Sequence, residues 1–189
     1  MTITDNIKKK DPPKKVIENI LKLFNSERLF DAKSIIEEQI KIYPKSSILF
    51  NICGAILEQQ NEIESAIKKY KKAISLNPEY AQAYNNLGVA LQKQNKLKEA
   101  MTSYEKALKI KSDFSEAYNN IGNLTCALGR PVDSFSFFEK AIKLKPSYAE
   151  AYNNLGSACK DVGDIQEAIK NFRLAIKIKP EYPEAYNNL

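Results

Sequence analysis

The sequence Ala-Tyr-Asn-Asn-Leu-Gly at residues 83–88 returns as Ala-Tyr-Asn-Asn-Ile-Gly at 117–122 and as Ala-Tyr-Asn-Asn-Leu-Gly at 151–156. Each copy lies 34 residues after the one before it, and a fourth copy begins at Ala185. A fixed period of about this length is typical of one supersecondary unit copied in tandem, because a single unit of that size cannot bury its own apolar face. The sequence therefore predicts one elongated array of repeats.

Apolar and small residues recur within each copy at the spacing of a buried helix face. In the unit that holds the first copy, Tyr84, Leu87 and Leu91 fall on one stripe at helical periodicity. Later in the same unit, Ala100 and Tyr104 begin a second stripe of the same kind. The pattern predicts two helices in each unit.

Helix-ending residues stand at fixed places in the period. The position after the first helix holds a residue type that tolerates the left-handed conformation which closes a helix: Asn61, Asn95, Gly129 and Gly163. A proline follows most second helices, where it cannot continue the helix: Pro78, Pro146 and Pro180. These signals predict a short turn inside each unit and another between units.

The period divides the chain into segments. They are 1–12, a basic leader predicted to be disordered; 13–46, a degenerate N-terminal repeat that acts as a cap; the units 47–80, 81–114, 115–148 and 149–182; and 183–189, the first part of a truncated further repeat.

The repeated positions resemble those of the tetratricopeptide repeat (TPR). Its aromatic, Leu, Gly, Ala, aromatic, Ala and Pro appear in the last full unit as Tyr152, Leu155, Gly156, Ala168, Phe172, Ala175 and Pro180. The resemblance implies an all-α fold, a right-handed α-solenoid or superhelix of antiparallel helix pairs. It also implies that the first helices line a concave groove and that the chain is a protein–protein interaction module.

Composition argues against several other classes of protein. Half of the net charge of +6 lies in residues 1–15, and no basic stripe interleaved with aromatics carries the rest, so we do not expect nucleic acid as a partner. No apolar run reaches the roughly 18 residues of a membrane span, and the N-terminus lacks the apolar stretch of a secretory signal. Cys53, Cys126 and Cys159 have no paired spacing. We therefore expect a cytoplasmic protein without membrane association.

The residues that usually carry catalysis are absent or already assigned. The chain has no His, which is the commonest general base and transition-metal ligand. All six glycines fall at packing or turn positions, so none is left for a phosphate-binding loop. We expect no enzymatic activity from these residues, no metal site and no cofactor.

The paired asparagines have no packing role in this scheme. Asn is a poor helix former, so its recurrence in every copy needs a reason. With Tyr84 at zero on a helical wheel, Asn85 lies near about 100° and Asn86 near about 200°, which places the pair away from the core. An amide offers an acceptor and two donors, which match the C=O and N–H of a peptide. A row of such amides predicts a groove that binds an extended polypeptide.

The predicted peptide-binding residues are Asn85, Asn86, Asn119, Asn120, Asn153, Asn154, Asn187, Asn188, Asn123, Glu116 and Glu150. The arrangement looks like the asparagine ladder in the superhelical repeat arm of the O-linked N-acetylglucosamine transferase, in which the second Asn of the pair contacts substrate. Because Asn51 is followed by Ile52, the row should begin at Asn86. Glutamates recur on the inner rim, so a neutral or basic, Ser/Thr-rich segment fits better than an acidic tail.

Three alternatives stay open at this stage. The asparagines could instead hydrogen-bond between neighbouring units and stiffen the stack. Because the chain ends inside a first helix, it is also consistent with the substrate-recognition arm of a longer glycosyltransferase- or sulfotransferase-like enzyme. The third alternative is a scaffold that self-associates through an uncapped C-terminal end around Tyr182, Tyr186 and Leu189.

Overall fold

The computed structural model describes residues 11–189, so most of the predicted leader, residues 1–10, lies outside the described residues. The described part forms eleven helices and no strand: α1 (Lys14–Asn25), α2 (Leu29–Ile42), α3 (Ser47–Gln59), α4 (Ile63–Leu76), α5 (Ala81–Lys93), α6 (Leu97–Ile110), α7 (Ser115–Ala127), α8 (Pro131–Leu144), α9 (Ala149–Asp161), α10 (Ile165–Ile178) and α11 (Pro183–Asn188). The predicted all-α class of helix pairs is confirmed. None of these helices combines the length and the apolar content needed to cross a membrane.

The helices form two compact units, Met1–Ser103 and Tyr104–Leu189, and the boundary falls within α6. In the first unit α3 packs on α4, its partner in the pair, and on the neighbouring first helices α1 and α5. In the second unit α9 packs in the same way on α10, α7 and α11. Each of these two first helices is therefore covered by its own second helix and by the first helices of adjacent repeats.

A glycine in the first helix lets the aromatic side chain of the second helix approach its backbone. A Cβ built on the glycine would lie 2.5 Å from a ring carbon for Gly54 on Tyr70, 2.5 Å for Gly122 on Phe138 and 2.6 Å for Gly156 on Phe172. These aromatics are buried and belong to the core between the two helices of a pair. No side chain larger than hydrogen fits at these positions without displacing a ring, which explains the recurrent Gly.

The turns inside the pairs have the left-handed conformation that the sequence predicts. In four of the pairs, the second residue after the end of the first helix has positive φ: Asn61 at +63°, Asn95 at +59°, Gly129 at +76° and Gly163 at +85°. Glu27, at the same position in the degenerate repeat, has φ of +58°, although its residue type gives no such signal. The segment 13–46, which we predict to be a degenerate repeat, therefore has the same turn geometry as the repeats that follow it.

Lysines near the ends of second helices have a role that the sequence reading missed. In addition to opposing the helix dipole, their ammonium groups lie over the ring that precedes the next first helix. The distances from Nζ to the ring centroid are 5.1 Å for Lys111 over Phe114, 4.6 Å for Lys145 over Tyr148 and 4.7 Å for Lys179 over Tyr182. These contacts link the end of one pair to the start of the next.

Candidate functional site

The two asparagines of a pair lie in different environments. The second residue, at Asn86, Asn120, Asn154 and Asn188, is half-buried. The first residue is buried in three pairs, with exposed fractions of 4% for Asn85, 0% for Asn119 and 7% for Asn153, whereas Asn187 in the last helix is exposed.

The expectation that both asparagines of a pair face away from packed surfaces is therefore wrong for Asn85, Asn119 and Asn153. The helical wheel considered only the core inside a helix pair. A first helix also packs on the first helix of the adjacent repeat. A residue at about 100° from the core stripe faces that neighbour.

Asparagines of adjacent repeats are hydrogen-bonded to each other. In the second unit, Nδ2 of Asn154 donates to Oδ1 of Asn119 at 3.0 Å, and Nδ2 of Asn188 donates to Oδ1 of Asn153 at 3.0 Å. We call this contact, from a second asparagine to the first asparagine of the preceding repeat, an amide link. Asparagines of neighbouring repeats therefore bond to each other, as one of the alternative interpretations of the sequence holds. Each amide link uses one of the two N–H groups of the donating asparagine.

The first unit contains an amide link that the sequence reading did not include. Nδ2 of Asn86 donates to Oδ1 of Asn51 at 3.1 Å, and Gln82 Nε2 donates to Oδ1 of Asn86 at 3.0 Å. Asn51 is buried and occupies the same repeat position as Asn85. The predicted row of second asparagines begins at Asn86, but the network of amides begins one repeat earlier. The shared repeat position was the signal that could have found it.

Two of the linked first asparagines also donate a longer hydrogen bond, Asn119 to the following repeat and Asn51 to the last residue of its own repeat. Nδ2 of Asn119 lies 3.5 Å from Oε1 of Glu150, and Nδ2 of Asn51 lies 3.5 Å from the hydroxyl of Tyr80. Beside Glu150, burial raises the pKa of Tyr148, and the charges of Glu150 and Glu116 raise it further. The Tyr148 hydroxyl therefore stays protonated next to this carboxylate.

A pocket of about 530 Å³ lies beside Asn86 in the first unit. Its lining comes from the first helices, the α1–α2 turn and α4: Phe24, Asn25, Glu27, Ala55, Glu58, Gln59, Tyr70, Asn86, Val89 and Lys93. Phe24, Ala55 and Val89 supply its apolar walls. Asn86, Val89 and Lys93 are the residues that the helical wheel places on one side of α5.

A carboxylate with two partners forms the polar part of this pocket. The Glu58 side chain is 13% exposed, and its Oε1 lies 2.7 Å from Nζ of Lys93. Its Oε2 accepts a hydrogen bond from the Tyr70 hydroxyl at 2.8 Å. Burial raises the pKa of Tyr70, and the charge of Glu58 raises it further. The pocket thus pairs apolar walls with a nearly neutral ion pair.

The remaining predicted residues are less constrained. Glu116 is half-buried and accepts a hydrogen bond from Ser115 Oγ at 2.9 Å, Asn123 is half-buried, and Glu150 is exposed. Across residues 11–189 there is no cluster of three His, Cys, Asp or Glu side chains placed to hold a metal ion.

The three cysteines are free thiols, and burial raises the pKa of each.

Comparison with known families gives three matches. A model described as TPR repeat matches residues 54–95, and two described as tetratricopeptide repeat match residues 81–114 and 113–181. Together they span residues 54–181, which is more than half of the chain. The chain is a tetratricopeptide repeat protein. Comparison with curated protein sequences gives no significant match.

Solved TPR structures share this fold over most of the chain. A thermophilic TPR protein in Thermus thermophilus is 16% identical with a TM-score of 0.80, covering 98% of this chain and 96% of its own. YrrB, described as a TPR protein with an unusual peptide-binding site, is 19% identical with a TM-score of 0.66, covering 99% and 97%. The Cut9–Hcn1 tetramer of the APC/C matches with a TM-score of 0.84 at 14% identity, covering 91% of this chain and 34% of its own. At these identities the likeness establishes the fold.

TPR proteins bind peptides or partner proteins, so the chain is a protein–protein interaction module. Binding of a peptide by the asparagines, the resemblance to the transferase arm and self-association stay predictions.

Proposed function

We propose that the surface formed by the first helices binds an extended polypeptide segment, and that the second asparagines of the pairs contact its backbone. The residues assigned to this contact are Asn86 in the first unit and Asn120, Asn154 and Asn188 in the second. The observation that carries the proposal is a difference within three of the pairs, in which the first asparagine is buried and the second is half-buried at the surface.

The hydrogen-bonding capacity of the linked amides suits a peptide group. A primary amide has two N–H donors and an oxygen with two lone pairs. The link from Asn154 to Asn119 uses one N–H of Asn154. Its other N–H and its oxygen match the C=O and N–H of a backbone, and this match does not depend on the side chains of the guest.

The pocket beside Asn86 supplies a place for one guest side chain. A backbone held at Asn86 would direct a neighbouring side chain between Phe24, Ala55 and Val89, where apolar area leaves water. Glu58 and Lys93 form an ion pair at the polar end of the pocket, so this end carries little net charge. An aliphatic or aromatic guest side chain fits this pocket best.

The charges on the second unit indicate which net charge the bound peptide should have. Glu116, Glu150 and Glu184 share one repeat position, four residues before the second asparagine of each pair. Like charges disfavour each other at short range, so an acidic segment is excluded from this surface. The guest we propose is a neutral or basic extended segment with one apolar anchor.

The function proposed for these residues is binding without chemistry. It applies equally to an adaptor and to the substrate-recognition arm of a longer enzyme of the glycosyltransferase or sulfotransferase kind, because in both cases the groove holds an extended chain.

The test is an array of peptides of about twelve residues, which span roughly 40 Å when extended. Each sequence is synthesised with and without N-methylation of its backbone. We expect the chain to bind a subset of the neutral and basic peptides, and N-methylation to abolish that binding because it removes the backbone donors. The Asn86→Ala, Asn120→Ala and Asn154→Ala triple variant should lose capture while its helical circular dichroism is unchanged.

A matched control places three substitutions on exposed polar residues of second helices: Thr102→Ala, Ser136→Ala and Gln166→Ala. This control should bind like the wild type. Retained capture by the triple asparagine variant, or equal binding of the N-methylated peptides, would disprove backbone recognition by these amides.

A further inference from the structure

Asn119, the buried asparagine of one amide link, contacts two polar side chains of the next repeat. Asn119 accepts from Asn154 at 3.0 Å and donates to Glu150 at 3.5 Å, and both partners lie on α9. Its exposed fraction is 0%, so no water competes for either contact. The two contacts use opposite ends of one amide group.

The charge of Glu150 fixes which end of the Asn119 amide faces which partner. An ionised carboxylate accepts hydrogen bonds and donates none, so the NH₂ group of Asn119 faces Glu150. Its oxygen therefore faces Asn154. The reversed amide would place the oxygen of Asn119 against the carboxylate and would confront the NH₂ group of Asn154 with another donor.

This fixed oxygen in turn orients the amide of Asn154. The last torsion of an Asn side chain is broad, so an exposed asparagine would sample many amide orientations. The link to Asn119 restricts that rotation before any ligand arrives. A side chain ordered in advance loses less entropy on binding, which is the usual origin of affinity gained by preorganisation.

The first unit repeats the arrangement with a different orienting group. Asn51 donates to the Tyr80 hydroxyl at 3.5 Å and accepts from Asn86 at 3.1 Å, as Asn119 does with Glu150 and Asn154. In both places the oxygen of the buried asparagine is directed at the second asparagine of the next repeat, and a Tyr hydroxyl lies beside its amide: Tyr80 beside Asn51 and Tyr148 beside Asn119.

We propose that the buried asparagines Asn51, Asn119 and Asn153 are positioning residues, which hold the amides of Asn86, Asn154 and Asn188 in the orientation that reads a peptide backbone. This inference rests on the proposed function of those second asparagines. It adds that the repeat stack and the binding surface share one hydrogen-bond network, so that binding strength depends on residues that the guest never touches.

The experiment uses the full chain and a fluorescein-labelled synthetic peptide of about twelve residues of Ser, Thr and Ala around one Leu. Leu has the same branching as Asn without its polar atoms, so Asn119→Leu removes both contacts while it places a larger, apolar side chain at the same site; thermal denaturation of the variant confirms that it folds. We expect affinity to fall about two- to tenfold, the cost of ordering one side chain on binding. The side-chain ¹H–¹⁵N resonances of Asn154 should shift towards those of an unrestrained amide.

A conservative pair of substitutions provides the rescue. In Asn119→Asp with Glu150→Gln, the Asp carboxylate accepts from Asn154 and from the new Gln amide, so the orientation of Asn154 is retained. Affinity and the Asn154 resonances should return to within about twofold of the wild type. A purely structural role for Asn119 would not move the Asn154 resonances in this correlated way.

The outcomes separate the two proposals. Unchanged affinity in Asn119→Leu, or a loss that the double variant does not rescue, overturns the positioning role. If Asn154→Ala also binds the peptide normally, or if the wild type does not bind it, the proposed function itself fails.

Discussion

The surface around Asn86 in the first unit differs from the surface around Asn154 in the second, although both asparagines hold the same repeat position. Beside Asn86 lies a pocket with apolar walls and a buried carboxylate that is paired with a lysine. At the repeat position of Val89, the second unit has Asn123 and Ser157. The amide link is common to both units, with N···O distances of 3.1 and 3.0 Å.

The amide link is the same in the two units, whereas the residue at the repeat position of Val89 differs. The linked amides are held by contacts between repeats, so the proposed recognition of a peptide backbone would be common to both units. Selectivity for side chains depends on positions that the stack leaves free, such as that of Val89. Under the proposed function, the two units would bind a peptide backbone in the same way and would differ in the guest side chains that they accept.

The largest expected effect tests whether the two units share the same framework. Gly122→Ala places a methyl group where a Cβ would lie 2.5 Å from the ring of Phe138, and Gly54→Ala does the same against Tyr70. We expect each to lower the free energy of unfolding by about 1–3 kcal/mol, the usual cost of overpacking. Chemical denaturation with far-ultraviolet circular dichroism measures both.

A control substitution to Ala in a first helix, away from the aromatic ring, separates the steric effect from the effect of Ala on the helix itself. Ser157→Ala, on the half-buried side of α9, should change stability by less than about 0.5 kcal/mol. Equal tolerance of Ala at Gly54, Gly122 and Ser157 would show that ring approach does not define the glycine position. A large difference between Gly54 and Gly122 would show that the framework is not shared.

The framework was predictable because each of its determinants is local and repeated. Gly122 and Phe138 recur every 34 residues with their equivalents, so the period alone marks them as packing partners. The left-handed turns at Gly129 and Gly163 follow from residue type. Glu27 adopts the same conformation, with φ of +58°, although its residue type gives no such signal.

The site was only partly predictable, since it depends on contacts between repeats. A wheel drawn for one helix places Asn119 on a free side, but the adjacent first helix buries it. The link from Asn154 to Asn119 spans 35 residues, so no local pattern reveals it. The pocket beside Asn86 combines Phe24, Glu58 and Lys93 from three helices, and these residues do not repeat.

Exchanging the residues at one repeat position tests which unit selects an apolar side chain of the peptide. Val89→Asn gives the pocket of the first unit the residue that the second unit has at Asn123. We expect peptides with an apolar anchor to bind more weakly by about 1–2 kcal/mol, because apolar area of the guest would lie against an amide. Peptides in which the apolar anchor is replaced by Ala should lose much less binding free energy when Val89 is replaced by Asn. Fluorescence anisotropy with both peptides measures the difference.

The matched variant is Asn123→Val, which changes the second unit in the opposite sense. It should leave the preference for the anchor unchanged if the pocket of the first unit selects it. A loss of anchor preference in Asn123→Val, with none in Val89→Asn, would place side-chain selection in the second unit.

The smallest expected effect concerns Tyr70, whose equivalents in the second unit, Phe138 and Phe172, lack the hydroxyl. The Tyr70 hydroxyl donates to Glu58 at 2.8 Å, while Lys93 retains its own contact with that carboxylate. Tyr70→Phe should therefore fold normally and lose only about 1 kcal/mol near neutral pH.

The difference between wild type and Tyr70→Phe should depend on pH with a defined sign. Burial and the charge of Glu58 raise the pKa of Tyr70 in the folded state above its ordinary value of 10.0. The stabilising contribution is therefore complete below pH 10.0 and is lost as pH rises towards the folded-state pKa. Above pH 10.0 the unfolded chain releases this proton and the folded chain retains it, so the advantage of the wild type shrinks by up to about 1.4 kcal/mol per pH unit. The thiol of Cys53, whose pKa is also raised by burial, is present in both chains, so the difference between the unfolding free energies of the two chains isolates Tyr70. A difference that stays constant from neutral pH into this alkaline range would show that the hydroxyl of Tyr70 ionises as freely in the folded pocket as in the unfolded chain.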